Sequence, residues 1–234
     1  MENAWRLAFM FNARGGDLDA LEEALVRAGD LVGAVAGEAH VRLGVADVHP
    51  DLGASFRDRE KGGRRIVDGA VEITVAAGRA GELTAIAGAL RDTLGELAGP
   101  GSIEVMTGPV FPIVPVRDGG AFLSLAFRRY PGTTSQQFRD WWLHQHAKVA
   151  TPVLGAGLLA YDQVHVDAAA TQAVAQAFGV AAVAYDAYDN LTWDDRDAFL
   201  RSISDPVAMA RVYADEEGHI DHPSARSALM RRIG

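Results

Sequence analysis

One order of elements occurs twice in this chain, and that repetition limits its fold more than any other feature. By hydrophobic period the first half reads as strand 5–12, helix 17–29, strand 39–49, strand 69–77, helix 82–97 and strand 102–110. Leu18, Leu21, Leu25 and Val26 set the helical period of the first helix. The Gly/Ala-rich run 29–37 reads as a connection, and 58–65 as a polar loop. Pro115 and the pair Gly119–Gly120 mark a linker at 114–120. The pattern then restarts with strand 121–130, helix 135–154, strands 158–166 and 179–190, helix 193–203, and a tail with a further helix and a short strand. "RLAF" at 6–9 answers "SLAF" at 124–127, and "VADVH" at 45–49 answers "YDQVH" at 161–165. Two units follow, 1–116 and 117–234. A β-α-β-β-α-β unit forms an antiparallel sheet with both helices on one face. Its other face is still apolar, and two such units face to face cover each other. One α+β chain can therefore close a barrel by itself.

Composition removes several classes of function. A net charge of −9 argues against nucleic acid or an anionic membrane as partner. The absence of cysteine excludes disulfides, thiolate nucleophiles and Cys-ligated metals. The first residues hold one short apolar run, too short for a signal peptide, and no stretch has the length of a membrane span. The expectation is a cytoplasmic protein. Nucleotide-binding glycine motifs, a P-loop, a serine elbow and a zincin helix are all missing.

Chemistry concentrates at "FRDWWLHQHAKV", 138–149. On a regular helix Phe138, Trp142, His146, Val149 and Val153 share one stripe, while His144 lies on the opposite face. Two histidines so placed do not chelate a metal, which on a helix needs i,i+4 spacing. His146 is thus either a general acid or base on the buried edge, or a structural histidine bridging backbone groups. Tyr161, Gln163 and His165 alternate along one strand and share a face, lining either a cavity or the seam between the units. Asp186 and Tyr188 form a second such pair near a strand end. His219, Asp221 and His222 match no metal-ligand spacing, so no metal is expected.

The segment "FRRYPGTTSQQFRDWWLHQHAKVATPVLGAGLLAYDQVHV" resembles the EthD family of the dimeric α+β barrel superfamily. The matching positions are Phe138, Trp142, His146, Tyr161 and His165, with an acidic ending at Asp215–Glu216; the likeness covers 121–217 and is faint before it. It implies tandem ferredoxin-like units forming an intramolecular dimeric α+β barrel, with a cavity between sheet and helices for an apolar or aromatic molecule. The superfamily includes cofactor-free monooxygenases, isomerases, cyclases, dehydratases and haem-binding branches, so fold alone does not choose a reaction.

All five tyrosines, five of seven histidines and three of four tryptophans follow the linker. The second unit is therefore expected to hold the site. His146 and Tyr161 are the expected catalytic pair, with Phe138, Trp142, Gln163, His165, Asp186 and Tyr188 around the substrate. The leading expectation is a cofactor-free acid–base enzyme (lyase, dehydratase, cyclase or isomerase) acting on an aromatic or polyketide-like small molecule. A cofactor-free monooxygenase, or a binding protein for a hydrophobic metabolite with haem as a minority form, are the alternatives. A homo-oligomer of the fused chain is compatible with either.

Overall fold

The computed structural model describes residues 4–50, 52, 60–61, 64–65, 67–99, 101–115, 117–155 and 157–233. In chain order the first half holds β1 (Trp5–Phe11), α1 (Leu18–Ala36), β2 (His40–Ala46), β3 (Gly69–Val75), α2 (Leu83–Leu97) and β4 (Glu104–Val114). The second holds β5 (Ala121–Arg129) and α3, built of Ser135–Trp141, Trp142–His146 and Ala147–Leu154. It continues with β6 (Leu158–His165), α4 (Ala168–Phe178), β7 (Ala187–Trp193), α5 (Arg196–Ser202), α6 (Pro206–Glu216) and β8 (Ile220–Ile233). Two short pieces, Glu60–Lys61 and Arg64–Arg65, pair outside the main sheet within the expected 58–65 loop.

The eight long strands close an antiparallel barrel in the order β1-β3-β2-β8-β5-β7-β6-β4. Within each half the order is fourth, first, third, second, as in a ferredoxin-like unit. The halves join where β2 pairs β8 (Leu43 opposite Ile233) and where β4 pairs β6 (Val110 opposite Val164). Gly108 is needed at the second seam: a Cβ there would lie 2.1 Å from the His165 carbonyl oxygen.

Both faces of the sheet are covered, so strand residues of either phase are buried. In β1, Leu7, Phe9 and Phe11 pack under α1 and α2, while Ala8 and Met10 join Phe122, Val164, Tyr188 and Met230 inside the barrel. Helix α1 runs past the expected end at 29. Asp17 caps its N-terminus by accepting from the Asp19 and Ala20 amides, and it stops at Gly37, φ 61°. Leu21, Leu25, Ala28, Val32 and Ala36 form one buried stripe, whose burial outweighs the cost of about 1 kcal/mol for each internal glycine.

Three further differences lie in the second half. The strand expected at 179–190 begins only at Ala187, and Trp193 belongs to it rather than to the next helix. The tail strand is long, 14 residues. Helix α4 was not foreseen. It begins at an Asp167 cap and ends at Gly179 in the left-handed region. Its Val174 and Phe178 enter the first half's core, Phe178 packing 5.1 Å from Phe9. Thr171 Oγ1 accepts from the Thr107 amide at 3.1 Å and donates to the Thr107 carbonyl at 3.2 Å.

The barrel interior also holds charge. Glu72 accepts from Arg42 Nε at 3.0 Å, from Asn190 Nδ2 at 2.6 Å and from the Tyr188 hydroxyl. Arg6 donates to Asp162 at 2.7 Å and to Thr74 at 2.9 Å, and Arg42 also reaches Thr192 and Asn190. Burial works to raise the Glu72 carboxyl, but Arg42 and Arg6, with the Tyr188 hydrogen bond, hold it below the ordinary value. Arg6, Arg42 and Glu72 come from one half and Asp162, Tyr188, Asn190 and Thr192 from the other, so the network spans both. Removing one member leaves uncompensated buried charge. Glu72→Gln is expected to cost about 3–5 kcal/mol, read as a lower urea midpoint; an unchanged midpoint would show the network to be energetically idle.

Candidate active site

Helix α3 starts at a reciprocal cap. Thr134 Oγ1 accepts from the Gln137 amide at 3.2 Å, while Gln137 Oε1 accepts from the Thr134 amide at 3.0 Å. Phe138 and Trp142 then pack on Phe127 of β5, with ring centroids 6.1 and 5.5 Å away. At Trp142–His146 the helix widens into a π turn, in which the Ala147 amide reaches the Trp142 carbonyl. Gln163 Nε2 of β6 donates to that same carbonyl at 2.9 Å. The extra residue shifts the inward stripe: Ala150 is buried, whereas Val149 and Val153, expected on that stripe, are half-buried. Such turns often mark functional positions.

The π turn leaves His146 buried and His144 exposed. His146 Nδ1 meets Asp215 Oδ2, at the end of α6, at 2.9 Å. Trp141 lies 4.9 Å from the His146 ring and stacks on His219 at 4.2 Å. Burial lowers the His146 pKa, only partly offset by the hydrogen bond and charge of Asp215. The ring is therefore neutral at pH 7, and bonding to Asp215 through Nδ1 leaves Nε2 as the nitrogen open to a ligand.

His146 lines a cavity of about 200 Å³ between the second half's sheet and helices. Its walls are apolar, among them Leu123, Leu125, Leu191, Phe199 and Met209. Tyr161, Asp189, Glu216 and His222 add polar groups, and among the described residues no Lys or Arg lines it. Among the described residues all of the lining falls between residues 123 and 227. Burial, then the nearby Asp215, pushes Glu216 up to about 7. Burial, then Glu216, holds Asp189 well above the carboxylate range. Burial, then Asp189, raises the Tyr161 phenol well above its usual value. His222 Nε2 lies 3.5 Å from Glu216 Oε2.

Of the residues expected at the site, His146 and Tyr161 share this cavity, but they are not each other's partners. Asp215 holds His146, and Gln163 Nε2 donates to the Tyr161 hydroxyl at 3.0 Å. Gln163 Oε1 lies 3.4 Å from His165 Nε2, and His165 packs against Trp142 and Phe111. Phe138 and Trp142 are wall-forming only behind the helix, in the cluster with Phe127 and Ile220, and do not line the cavity. Asp186 pairs with Arg129 at the strand end. Tyr188 points into the barrel toward Glu72 and Ser124. The cause is strand phase: Asp189, Leu191 and Trp193 face the helices, while Tyr188, Asn190 and Thr192 face the interior. Asp189 and Trp141 escaped the sequence reading. The apolar phase Leu191–Trp193, next to the helices, was the available signal for Asp189.

Among the described residues no group of three His, Asp or Glu side chains is arranged to hold a metal, and no helix is long and apolar enough to cross a membrane. Haem does not fit beside His146: the cavity is smaller than the roughly 300–1,000 Å³ of ordinary ligand pockets, and His165 is enclosed by aromatic rings.

Burial lowers His165 to about 4, with Arg139 contributing. The unfolded chain then binds a proton that the folded chain refuses, so stability present above pH 6.5 is lost as pH falls toward 4, by about 3 kcal/mol. His165→Gln should flatten this acid limb in urea titrations between pH 7 and 4; an identical limb in the variant would assign it elsewhere.

Residues 130–223 match the family model of the EthD domain. Among solved structures, an anthrone oxidase-like protein aligns with TM-score 0.55 and 10% identity over 100% of this chain and 92% of that one. A mutant chlorite dismutase from Candidatus Nitrospira defluvii, in complex with cyanide, aligns with TM-score 0.56 and 10% identity over 100% and 92%. No curated protein matches the sequence. At such identities the likeness is one of fold. Residues 130–223 thus match an EthD domain, set in a barrel whose fold is of the dimeric α+β type.

Proposed function

We propose that this chain is a small acid–base enzyme, working without a bound cofactor on an aromatic small molecule, with His146 as its base. The observation that carries this is the His146–Asp215 pair opening on a largely apolar cavity. Asp215 fixes the imidazole tautomer and stabilises the imidazolium that forms, as a carboxylate does behind any histidine base. Glu216, pushed up to about 7 in the same cavity, is the matching proton donor. Residues 117–234 form the working unit and 1–116 the partner that closes the barrel.

In a dehydration or isomerisation, His146 Nε2 takes a proton from the carbon beside a substrate carbonyl, leaving an enolate. Glu216 delivers a proton to the departing hydroxyl, which leaves as water, or to the far carbon. Tyr161, held by Gln163, borders the same space and orients the substrate oxygen. For scale, an apolar cavity of about 150 Å³ accepts benzene, so about 200 Å³ suits one ring with its substituents. A second reading keeps the same first step. The enolate or phenolate formed by His146 reacts with O2 directly, and the fold shared with an anthrone oxidase-like protein favours this form.

The common step is testable before the product is known. Hydroxylated and keto aromatic rings incubated with the protein in D2O should exchange the acidic C–H, and His146→Ala should slow this about 100-fold or more. Absence of exchange and of turnover across the panel would leave a binding protein. O2 uptake separates the two enzymatic forms.

The rate should also be bell-shaped in pH. The acid limb, on which His146 takes up a proton and loses its basic role, falls below pH 6.5 because burial lowers its pKa. The donor is lost as pH rises through about 7. Glu216→Gln should remove the alkaline limb; a limb unmoved by that change would exclude Glu216 as the donor.

A further inference from the structure

The polar end of the cavity differs from an ordinary substrate-anion site in one respect: its ionisable groups are carboxyls and imidazoles. Asp189 and Glu216 line it beside His146 and His222, Asp215 stands behind His146, and among the described residues no Lys or Arg lines the space. Asp189 is buried, 6% exposed, and its Oδ1 has no hydrogen-bond partner. Its β7 neighbours on the same face, Leu191 and Trp193, are apolar. A buried carboxyl with no cation beside it keeps its proton, because the charged form is the costly one there. It is then a hydrogen-bond donor facing an apolar space, and such a group takes an uncharged oxygen acceptor. A ligand carboxylate would lose its hydration with no Lys or Arg of the described lining to offset the loss, and would face the Asp215 charge behind His146.

We infer that the cavity takes an uncharged phenol or ketone and turns away carboxylates, with Asp189 holding the ligand oxygen. This rests on the cavity being the place where substrate binds. Asp189 also carries one buried oxygen without a partner, Oδ1, at the cavity wall, which makes this more than a cluster of acids: strand β7 fixes its position, and a ligand oxygen would satisfy the carboxyl.

Three probes of equal size separate the ligand classes: 4-ethylphenol, 4-ethylbenzoate and 4-ethylbenzylamine, titrated calorimetrically against the full chain at pH 6.5. The expected result is 4-ethylphenol binding at least about tenfold tighter than either charged probe. Asp189→Leu should weaken 4-ethylphenol about tenfold, whereas Asp189→Asn, whose amide still donates, should stay within about threefold. Equal or tighter binding of the benzoate or the benzylamine overturns the inference. So does binding of none of the three, or an Asp189→Leu variant that folds and binds like the parent. If that variant does not fold, the probe ranking and Asp189→Asn decide. His146→Ala should leave the ranking intact. The preference without any turnover would sink the enzymatic reading alone, and turnover of a carboxylate would sink this one alone.

Discussion

Glu72 is the group on which the barrel depends. It is a carboxylate at the centre of a closed sheet, and it is tolerable there only because Arg42, Asn190 and Tyr188 reach it together. Asn190 and Tyr188 belong to β7, across the barrel from Glu72 on β3. With Arg6 bonded to Asp162 of β6, the four charges of this network sum to zero and tie both halves into one register. A slip of one residue in β7 would bring Asp189 and Leu191 inward and take Tyr188 and Asn190 away from Glu72 and Thr192 away from Arg42. The network thereby fixes which strand residues face the helices, and so which ones the cavity receives.

The cavity exists because the two helix layers are filled differently. In the first half, α1, α2 and the inserted α4 close over the sheet in one continuous apolar cluster. In the second, the π turn in α3 displaces the helix stripe by a residue. His146 then lies toward α6, where Asp215 takes its Nδ1, and Trp141 closes over it against His219. Acidic groups crowded into a space without cations have their protons retained, and burial keeps the histidine deprotonated. One side of the site thus accepts protons and the other offers them.

Several parts of this were legible in the chain itself. The repeated element order gave the tandem barrel, and the Phe138–Trp142–His146 spacing marked the helix from which the site is built. Misreadings had local causes. The run 29–37 looked like a connection because Gly29 and Gly33 weaken helix propensity, yet the buried stripe through Val32 and Ala36 carries α1 across them. Tyr188 looked like a cavity residue because a strand begun at 179 has no defined phase; once β7 starts at Ala187 its polar alternate residues turn inward to meet Glu72.

What the sequence determined by itself was therefore periodicity: two units, their strands and helices, and the stretch of α3 bearing the histidine, since these follow from residue spacing along a local helix or strand. What only the tertiary structure decided was partnership. Asp215 for His146, Glu72 for Arg42 and Tyr188, and Asp189 beside Glu216 lie 27 to 116 residues apart in sequence. Their hydrogen bonds and shared desolvation exist only when the closed barrel brings distant strands and helices to one place.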